Sequence, residues 1–233
     1  MQRHFGTEGP ESYSRSTEYS FGMEENRPFA GEPADSREAI MRATFVALQE
    51  HGYAGLSIQR IADEAALSKS TFYHHFDDKE DLLLSFAEYM LEQFLTVLSL
   101  AADDDPRETL ETLVDLVLSE DFPSVQAETP AQSGEWDILG AYVEVRSQAV
   151  SNVAFREAFT AMDQVLFERM TAVVQRGIDE GEFQDVDPEG VAALILTVLA
   201  GHMLGVATSN ENRVAPVRNE LDFYLRSRLL AEE

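Results

Sequence analysis

The sequence predicts an all-α chain of roughly nine helices. Two observations carry this. From residue 36 onward apolar residues recur at spacings of three and four, and no stretch alternates as a strand would. Helix-starting and helix-ending residues punctuate that pattern: Ser57, Ser68, Asp77, Pro106 and Asp187 stand at expected N-termini, Gly52 and Gly181 at expected C-termini. The hydrophobic content of 44% in 233 residues is ample for a core. The expected organisation is a disordered arm over 1–35, a three-helix head over 36–82, and a larger helical domain over 83–233.

The arm is polar, rich in Ser, Glu, Gly and Tyr, and without apolar periodicity. The first helix is expected from Ser36 to His51. Ile40, Ala43, Thr44, Ala47 and Leu48 form one stripe on it, and Arg37 or Arg42 near its start is placed either at a phosphate or at solvent. The stretch Leu56–Leu83 then reads LSIQRIADEAALSKSTFYHHFDDKEDLL. Ser57 caps one short helix, the chain breaks at Ala66-Leu67, and Ser68 caps a second from Lys69 to about His75. Phe72 and Phe76 lie four apart, so they share one face and bury against Ile58, Ile61 and Leu67. Lys69, Ser70, Thr71, Tyr73 and His74 are left outward. Two short helices joined by a tight turn, the second offering hydroxyls, an aromatic and bases, suit a major groove. Asp77 is the expected cap of the helix that follows, with Lys79 in its first turn.

From Lys79 the pattern runs through Phe86, Met90 and Phe94 to about Ala101. A helix is expected over Thr109–Ser119, a loop over Glu120–Glu135, and helices over Trp136–Ser151 and Val153–Asp179. Asp187-Pro188-Glu189 opens another to about Thr208, and Pro216–Leu230 closes the chain. Residues 190–208 are the most apolar stretch, nearly long enough to span a membrane, but His202, three glycines and acidic flanks argue against that. Gly201 and Gly205 permit close helix approach beside Leu196, and the last helix carries Leu221, Tyr224 and Leu225. These two helices either pair with their copies in a four-helix interface about a two-fold axis or are buried within one monomer.

The formal net charge is −26, with Asp and Glu spread along the whole chain. Lysine occurs only at Lys69 and Lys79; every other fixed cation is Arg. This balance resembles that of proteins from extreme halophiles, where carboxylates hold hydration and salt screens their repulsion. At molar salt the Debye length is about 3 Å. Long-range steering toward DNA is then weak, and short-range hydrogen bonds carry more of the affinity.

Catalytic and cofactor chemistry find no footing. Cysteine is absent, which excludes a disulfide framework and thiolate metal sites. His74 and His75 are adjacent and point about 100° apart on a helix, so they cannot chelate one ion. No Gly-rich phosphate loop, G-x-S-x-G or H-E-x-x-H occurs. No metal or cofactor is expected and the chain is not read as an enzyme. The N-terminus lacks a basic start and an apolar run, so a cytoplasmic location is expected.

Ile61-Ala62-Asp63-Glu64-Ala65-Ala66-Leu67-Ser68, Phe72-Tyr73-His74-His75-Phe76, Lys79 and Leu82 together resemble the helix-turn-helix half of TetR/AcrR-type transcription regulators. Ala66 departs from that pattern: it stands where the family usually carries Gly, at a cost of ~1 kcal/mol if the turn needs a positive φ. Trp136, the run at 180–183, the VDPE at 186–189 and the Leu/Gly pattern after it resemble the effector domain of a branch that includes choline-responsive repressors, without implying choline here.

The resemblance implies a dimeric, ligand-responsive repressor that binds double-stranded DNA at a palindromic operator, with the last two helices as its dimer interface. Ser70, Thr71 and Tyr73 would meet bases or phosphates, with Tyr73 against a thymine methyl, while Lys69, His74 and Lys79 bind phosphates. His75 either does the same or is tucked under Phe76. The resemblance also implies a pocket for a small-molecule effector. Phe94, Leu113, Val117, Leu139, Tyr142, Phe159, Met162, Leu166 and Met170 are its candidate lining, with ordinary core packing the competing role for each. The alternative is a dimeric helical small-molecule sensor or interaction protein that does not bind DNA, which the acidity and Ala66 favour.

Overall fold

A computed structural model describes residues 32–101, 105–118, 138–211 and 213–230. Nearly all of the expected arm, the loop expected over Glu120–Glu135, and Trp136 therefore lie outside the described residues. Nine α-helices lie among the described residues, and the only β-type pairing among those residues is an isolated bridge between Phe183 and Leu230. The all-α expectation holds.

Helix α1 spans Ser36–Gly55, beginning where expected, with Asp35 as its cap, accepting from the Glu38 N–H at 2.9 Å. The stripe of Ile40, Ala43, Thr44, Ala47 and Leu48 is buried, and the Thr44 hydroxyl is satisfied by donating to the Ile40 carbonyl at 2.8 Å. The helix breaks at Gly52, whose φ of 63° and ψ of 175° are not helical. Helices α2 (Ile58–Glu64) and α3 (Lys69–His75) begin at Ser57 and Ser68, whose hydroxyls accept from the Arg60 and Thr71 N–H groups. Each such cap contributes about 1 kcal/mol.

Helix α4 runs from Lys79 to Ala101. Its cap is Asp78 and not Asp77: Asp78 accepts from the N–H groups of Glu80 and Asp81, and the Asp81 carboxylate reaches back to the Asp77 N–H. Phe76 closes the preceding helix, its backbone N–H bonded to the Phe72 carbonyl, and Asp77 is the link between the two.

The larger domain follows with α5 (Pro106–Val117), α6 (Ile138–Ser147), a 3₁₀ turn at Gln148–Val150, α7 (Val153–Glu180), α8 (Pro188–Thr208) and α9 (Val214–Tyr224), ending in a π-helical turn at Leu225–Leu229. Asp105 and Asn152 cap α5 and α7, and Gly181, with φ of 81°, closes α7. Leu110, Leu113, Val114 and Val117 of α5 meet Met170 and Val174 of α7, Ile195 and Leu199 of α8, and Leu221, Leu225 and Leu229 in one buried cluster. Fully burying a side chain of this size stabilises by about 1.5–3 kcal/mol. Phe183 folds over α7 at Gly177, where a Cβ would lie 2.2 Å from its ring, so only glycine admits it. The end of the chain is tied down beside it, with the Gln184 backbone and side-chain N–H groups donating to the carbonyls of Leu229 and Leu230 at 2.8 Å each.

Helix α8 is long and apolar enough to cross a membrane by composition. It is placed instead with Val191, Ala192, Ile195 and Leu199 in the cluster just described.

Candidate nucleic-acid interface

The turn between α2 and α3 sets the aim of the outward surface. The Leu67 N–H donates to the Ala62 carbonyl at 2.9 Å and the Ala66 N–H to the Asp63 carbonyl at 3.1 Å. This six-to-one and five-to-two pairing is a Schellman closure, with Ala66 at the position that glycine usually fills. Ala66 has φ of 53° and is the one non-glycine residue with positive φ among the described residues. The turn keeps its geometry without glycine.

Helix α3 is fixed from behind. Phe72 and Phe76 are 0% and 2% exposed, their ring centroids 5.7 Å apart, with Ile61 equally buried beside them. Because Phe72 and Phe76 face inward, Lys69, Ser70, Tyr73 and His74 face solvent, and Tyr73 is 55% exposed. Its ring stands edge-on to Phe72 at 5.5 Å, which braces it on the outward face. Thr71 is half-buried and its hydroxyl is 2.9 Å from the Ser68 hydroxyl, so it stiffens the first turn of α3 as well as facing outward.

Two residues expected to face phosphates are otherwise engaged. The His75 Nε2 is 2.7 Å from the Ser36 hydroxyl, so its half-buried ring joins α3 to the start of α1. That nitrogen is engaged within the head, and the ring lies 6.3 Å from Phe76, tilted against it. Lys79 is half-buried, with its ammonium 4.4 Å from the centroid of the Tyr53 ring. That stacking holds the charge at a fixed place while leaving its donors free to turn outward.

Of the α1 arginines, Arg42 pairs with Glu38 at 2.7 Å. The Glu38 carboxyl is held below its ordinary pKa by the Ala34 N–H that it accepts and by Arg42. Arg37 lies over the Phe76 ring at 5.5 Å, on the α3 side of the head. Tyr53 and Ser36 thus support two of the candidate residues, Lys79 and His75, although no motif singled them out.

The head is somewhat less negative for its length than the chain as a whole. Residues 36–82 carry five basic and eight acidic side chains within a total net charge of −26. The acids flank the outward face of α3 at Asp63, Glu64, Asp77 and Asp78 rather than interrupting it.

In the larger domain the pocket candidates separate into two groups. Leu113, Val117 and Met170 are in the buried cluster under α8 and α9, and Leu139 is 2% exposed. Tyr142, Phe159, Met162 and Leu166 lie along α6 and α7. The Phe94 side chain lies outside the described residues. Tyr142 and Phe159 meet edge-on at 5.9 Å, and the Arg146 guanidinium lies over both rings while donating to Asp163 at 2.7 and 3.0 Å. Packing of α6 on α7 brings this aromatic pair together from positions seventeen apart, which no sequence spacing announces. Burial pushes the Tyr142 hydroxyl above its ordinary pKa. Burial also works against the Arg146 charge, but its bonds to Asp163 and its contact with Tyr142 outweigh that and raise its pKa. A separate cleft of about 470 Å³ lies between α5 and the end of the chain, lined by Arg107, Glu111, Asp115, Arg218, Asp222 and Arg226 among others, and contains none of the pocket candidates.

The residues expected at a dimer interface also divide. Leu221 and Leu225 are 4% and 7% exposed inside one chain, because that face of the last helix turns toward α5 and α8; they are core. Leu196 and Tyr224 are half-buried against the same cluster. At Gly201 and Gly205 a Cβ would meet nothing within 4 Å. The large apolar side chains that do face outward on α8 and α9 are Leu194, Leu204 and Phe223, which the sequence reading did not select. No group able to hold a metal occurs among the described residues.

Comparison with known proteins agrees with this arrangement. Residues 40–86 match the family model for bacterial regulatory proteins of the tetR family, and residues 106–230, more than half of the chain, match that of the BetI-type transcriptional repressor C-terminal domain. The HTH-type transcriptional repressor AcnR of Corynebacterium glutamicum is 25% identical over 177 residues, 76% of this chain and 84% of that protein. A TetR transcription regulator from Haloarcula marismortui superposes with a TM-score of 0.70 and 36% identity, over 84% of this chain and 99% of the other. A protein from Saccharomonospora viridis in complex with choline shares the fold, with a TM-score of 0.65 and 21% identity over 84% of this chain and 98% of its own. These relatives are transcription regulators and not enzymes. With its buried phenylalanine anchor and outward α3 face, the chain belongs to the TetR family and is a DNA-binding transcription regulator.

Proposed function

We propose that the protein is a ligand-responsive repressor that binds a palindromic operator as a homodimer in the cytoplasm. The observation that carries the DNA-contact assignment is the outward face of α3, where Ser70, Tyr73 and His74 are presented by the fully buried Phe72. Ser70, Thr71 and Tyr73 meet base edges or phosphates, and Lys69, His74 and Lys79 meet phosphates. His75 serves this surface indirectly, through Ser36.

The homodimer forms through the outward face of α8 and α9, where Gly201 and Gly205 leave room for a second backbone and Leu194, Leu204 and Phe223 supply apolar area. The effector binds along α6 and α7 beside Tyr142, Phe159, Met162 and Leu166, with the Arg146–Asp163 pair as its polar handle. A ligand there changes the relation of the two heads and weakens operator binding by its differential affinity for the two states.

The test is a mobility shift with DNA from the gene's own upstream region, in high potassium salt. Binding that is lost in Tyr73→Ala, in a protein that still dimerises, is the expected result. The second reading, a dimeric sensor without DNA binding, is favoured by the acids Asp63, Glu64, Asp77 and Asp78 around the α3 face. Absence of binding at any salt with the dimer intact would establish it in place of the first.

A further inference from the structure

We propose that Glu144, in the larger domain, is a positioning residue for DNA binding that acts through Tyr53 on Lys79. The inference rests on the reading of Lys79 as a phosphate contact.

The break in α1 at Gly52 exposes the Tyr53 N–H, and the Glu144 carboxylate accepts it through Oε2 at 2.5 Å, across 91 positions of sequence. Its other oxygen lies where a Cβ on Gly52 would approach within 3.1 Å, so the glycine both makes the turn and admits the carboxylate. Charge-assisted bonds of this kind are among the stronger hydrogen bonds in proteins. Glu144 is itself held: the Ser147 hydroxyl and the Gln148 amide both donate to its backbone carbonyl. Fixing the Tyr53 backbone fixes the ring over which the Lys79 ammonium sits at 4.4 Å. A second bond reinforces the same point, since the Asn152 amide donates at 2.8 Å to Glu80, the neighbour of Lys79. The segment 144–152 therefore grips the head on both sides of that lysine. On the same helix Tyr142 and Arg146, two positions either side of Glu144, engage Phe159 and Asp163 of α7. A shift of α6 against α7 is transmitted to Lys79 through one carboxylate.

The chain's two lysines make this measurable without DNA. Selective ¹³C-lysine labelling yields one set of signals from Lys69, exposed at the start of α3, and one from Lys79, shifted upfield by the Tyr53 ring. In free Glu144→Ala the Lys79 signal should move toward the position of Lys69, while Glu144→Gln, which keeps an acceptor, should leave it nearly in place. With operator DNA, Glu144→Ala should lower the slope of log K against log salt by about 0.9, as loss of one phosphate contact does. It should add no further loss to Lys79→Ala. A Lys79 signal unmoved in a folded Glu144→Ala protein would overturn the proposal whatever the DNA result. A moved signal with additive losses in the double variant would overturn it too. If the signal moves but Lys79→Ala binds DNA as wild type does, the phosphate reading of Lys79 fails, and the DNA role of Glu144 falls with it.

Discussion

The His75 imidazole and the Ser36 hydroxyl meet at 2.7 Å, fastening the last turn of the recognition helix to the first turn of the helix behind it. Thirty-nine positions separate them, and the bond is partly buried. The two residues form one unit, so their substitutions should not add. His75→Ala and Ser36→Ala are each expected to lower stability by about 0.5–1.5 kcal/mol, with an interaction energy of at least ~0.5 kcal/mol in the double-mutant cycle. If His75 acts through Ser36 and not on a phosphate, His75→Ala should weaken operator binding while leaving the salt slope unchanged. Urea denaturation and salt-dependent binding check the two halves.

Ala66 holds a left-handed conformation at an exposed turn. For an L-residue that conformation costs roughly 1–2 kcal/mol, and the greater chain entropy of glycine offsets roughly 0.5–1 kcal/mol of the relief. Ala66→Gly should therefore stabilise the protein by about 0.5–1 kcal/mol, a rise of a few °C in Tm by calorimetry. A fall in Tm would mean that the alanine methyl makes a contact worth more than the strain.

Ala66 also marks how far the sequence could be read. The helix pair was legible from the local spacing of Ile61, Ala62, Phe72 and Phe76, whereas the positive φ of Ala66 was legible only through the resemblance, which places it where the family usually carries Gly. The same locality made the caps at Ser57 and Ser68 readable. What was not readable depends on contacts between segments far apart in the chain. His75 was left between a phosphate contact and a place under Phe76, and its bond to Ser36 of α1 was not foreseen; Leu221 looked like interface until α5 and α8 packed on it. Glu144 was one carboxylate among forty-three Asp and Glu residues, and only the break at Gly52 gave it a partner. Periodicity identifies which residues a helix buries, but not against what.

His202 is half-buried on α8, and its Nε2 is buried without a hydrogen-bond partner. Burial lowers its pKa from the ordinary 6.5. The folded state therefore binds this proton less readily than the unfolded state does. Its contribution to stability is fully present above pH 6.5, falls as the pH drops below that value toward the folded pKa, and is constant beneath it. His202→Phe should remove this part of the pH dependence. Denaturation midpoints measured across mildly acidic pH check it: a wild-type profile that is flat there, or a variant profile that keeps the same slope, would assign the proton elsewhere.

Leu204 and Leu221 belong to neighbouring helices and are expected to respond in opposite ways. Leu204 is 53% exposed and, with Leu194 and Phe223, forms part of the apolar surface facing outward from α8 and α9. Leu221 is 4% exposed and packed within the chain's own core. Leu204→Glu should change monomer stability by no more than about 0.5 kcal/mol, since half of its side chain is open among the described residues. It should dissociate the dimer, because each copy would bring an unpaired carboxylate into a desolvated contact, and across a two-fold axis the two charges would lie close together. Leu221→Ala should instead cost about 2–5 kcal/mol of monomer stability through the cavity it leaves. Sedimentation in high salt alongside thermal denaturation separates the two effects. A Leu204→Glu protein that remains dimeric would place the contact surface away from this face of α8.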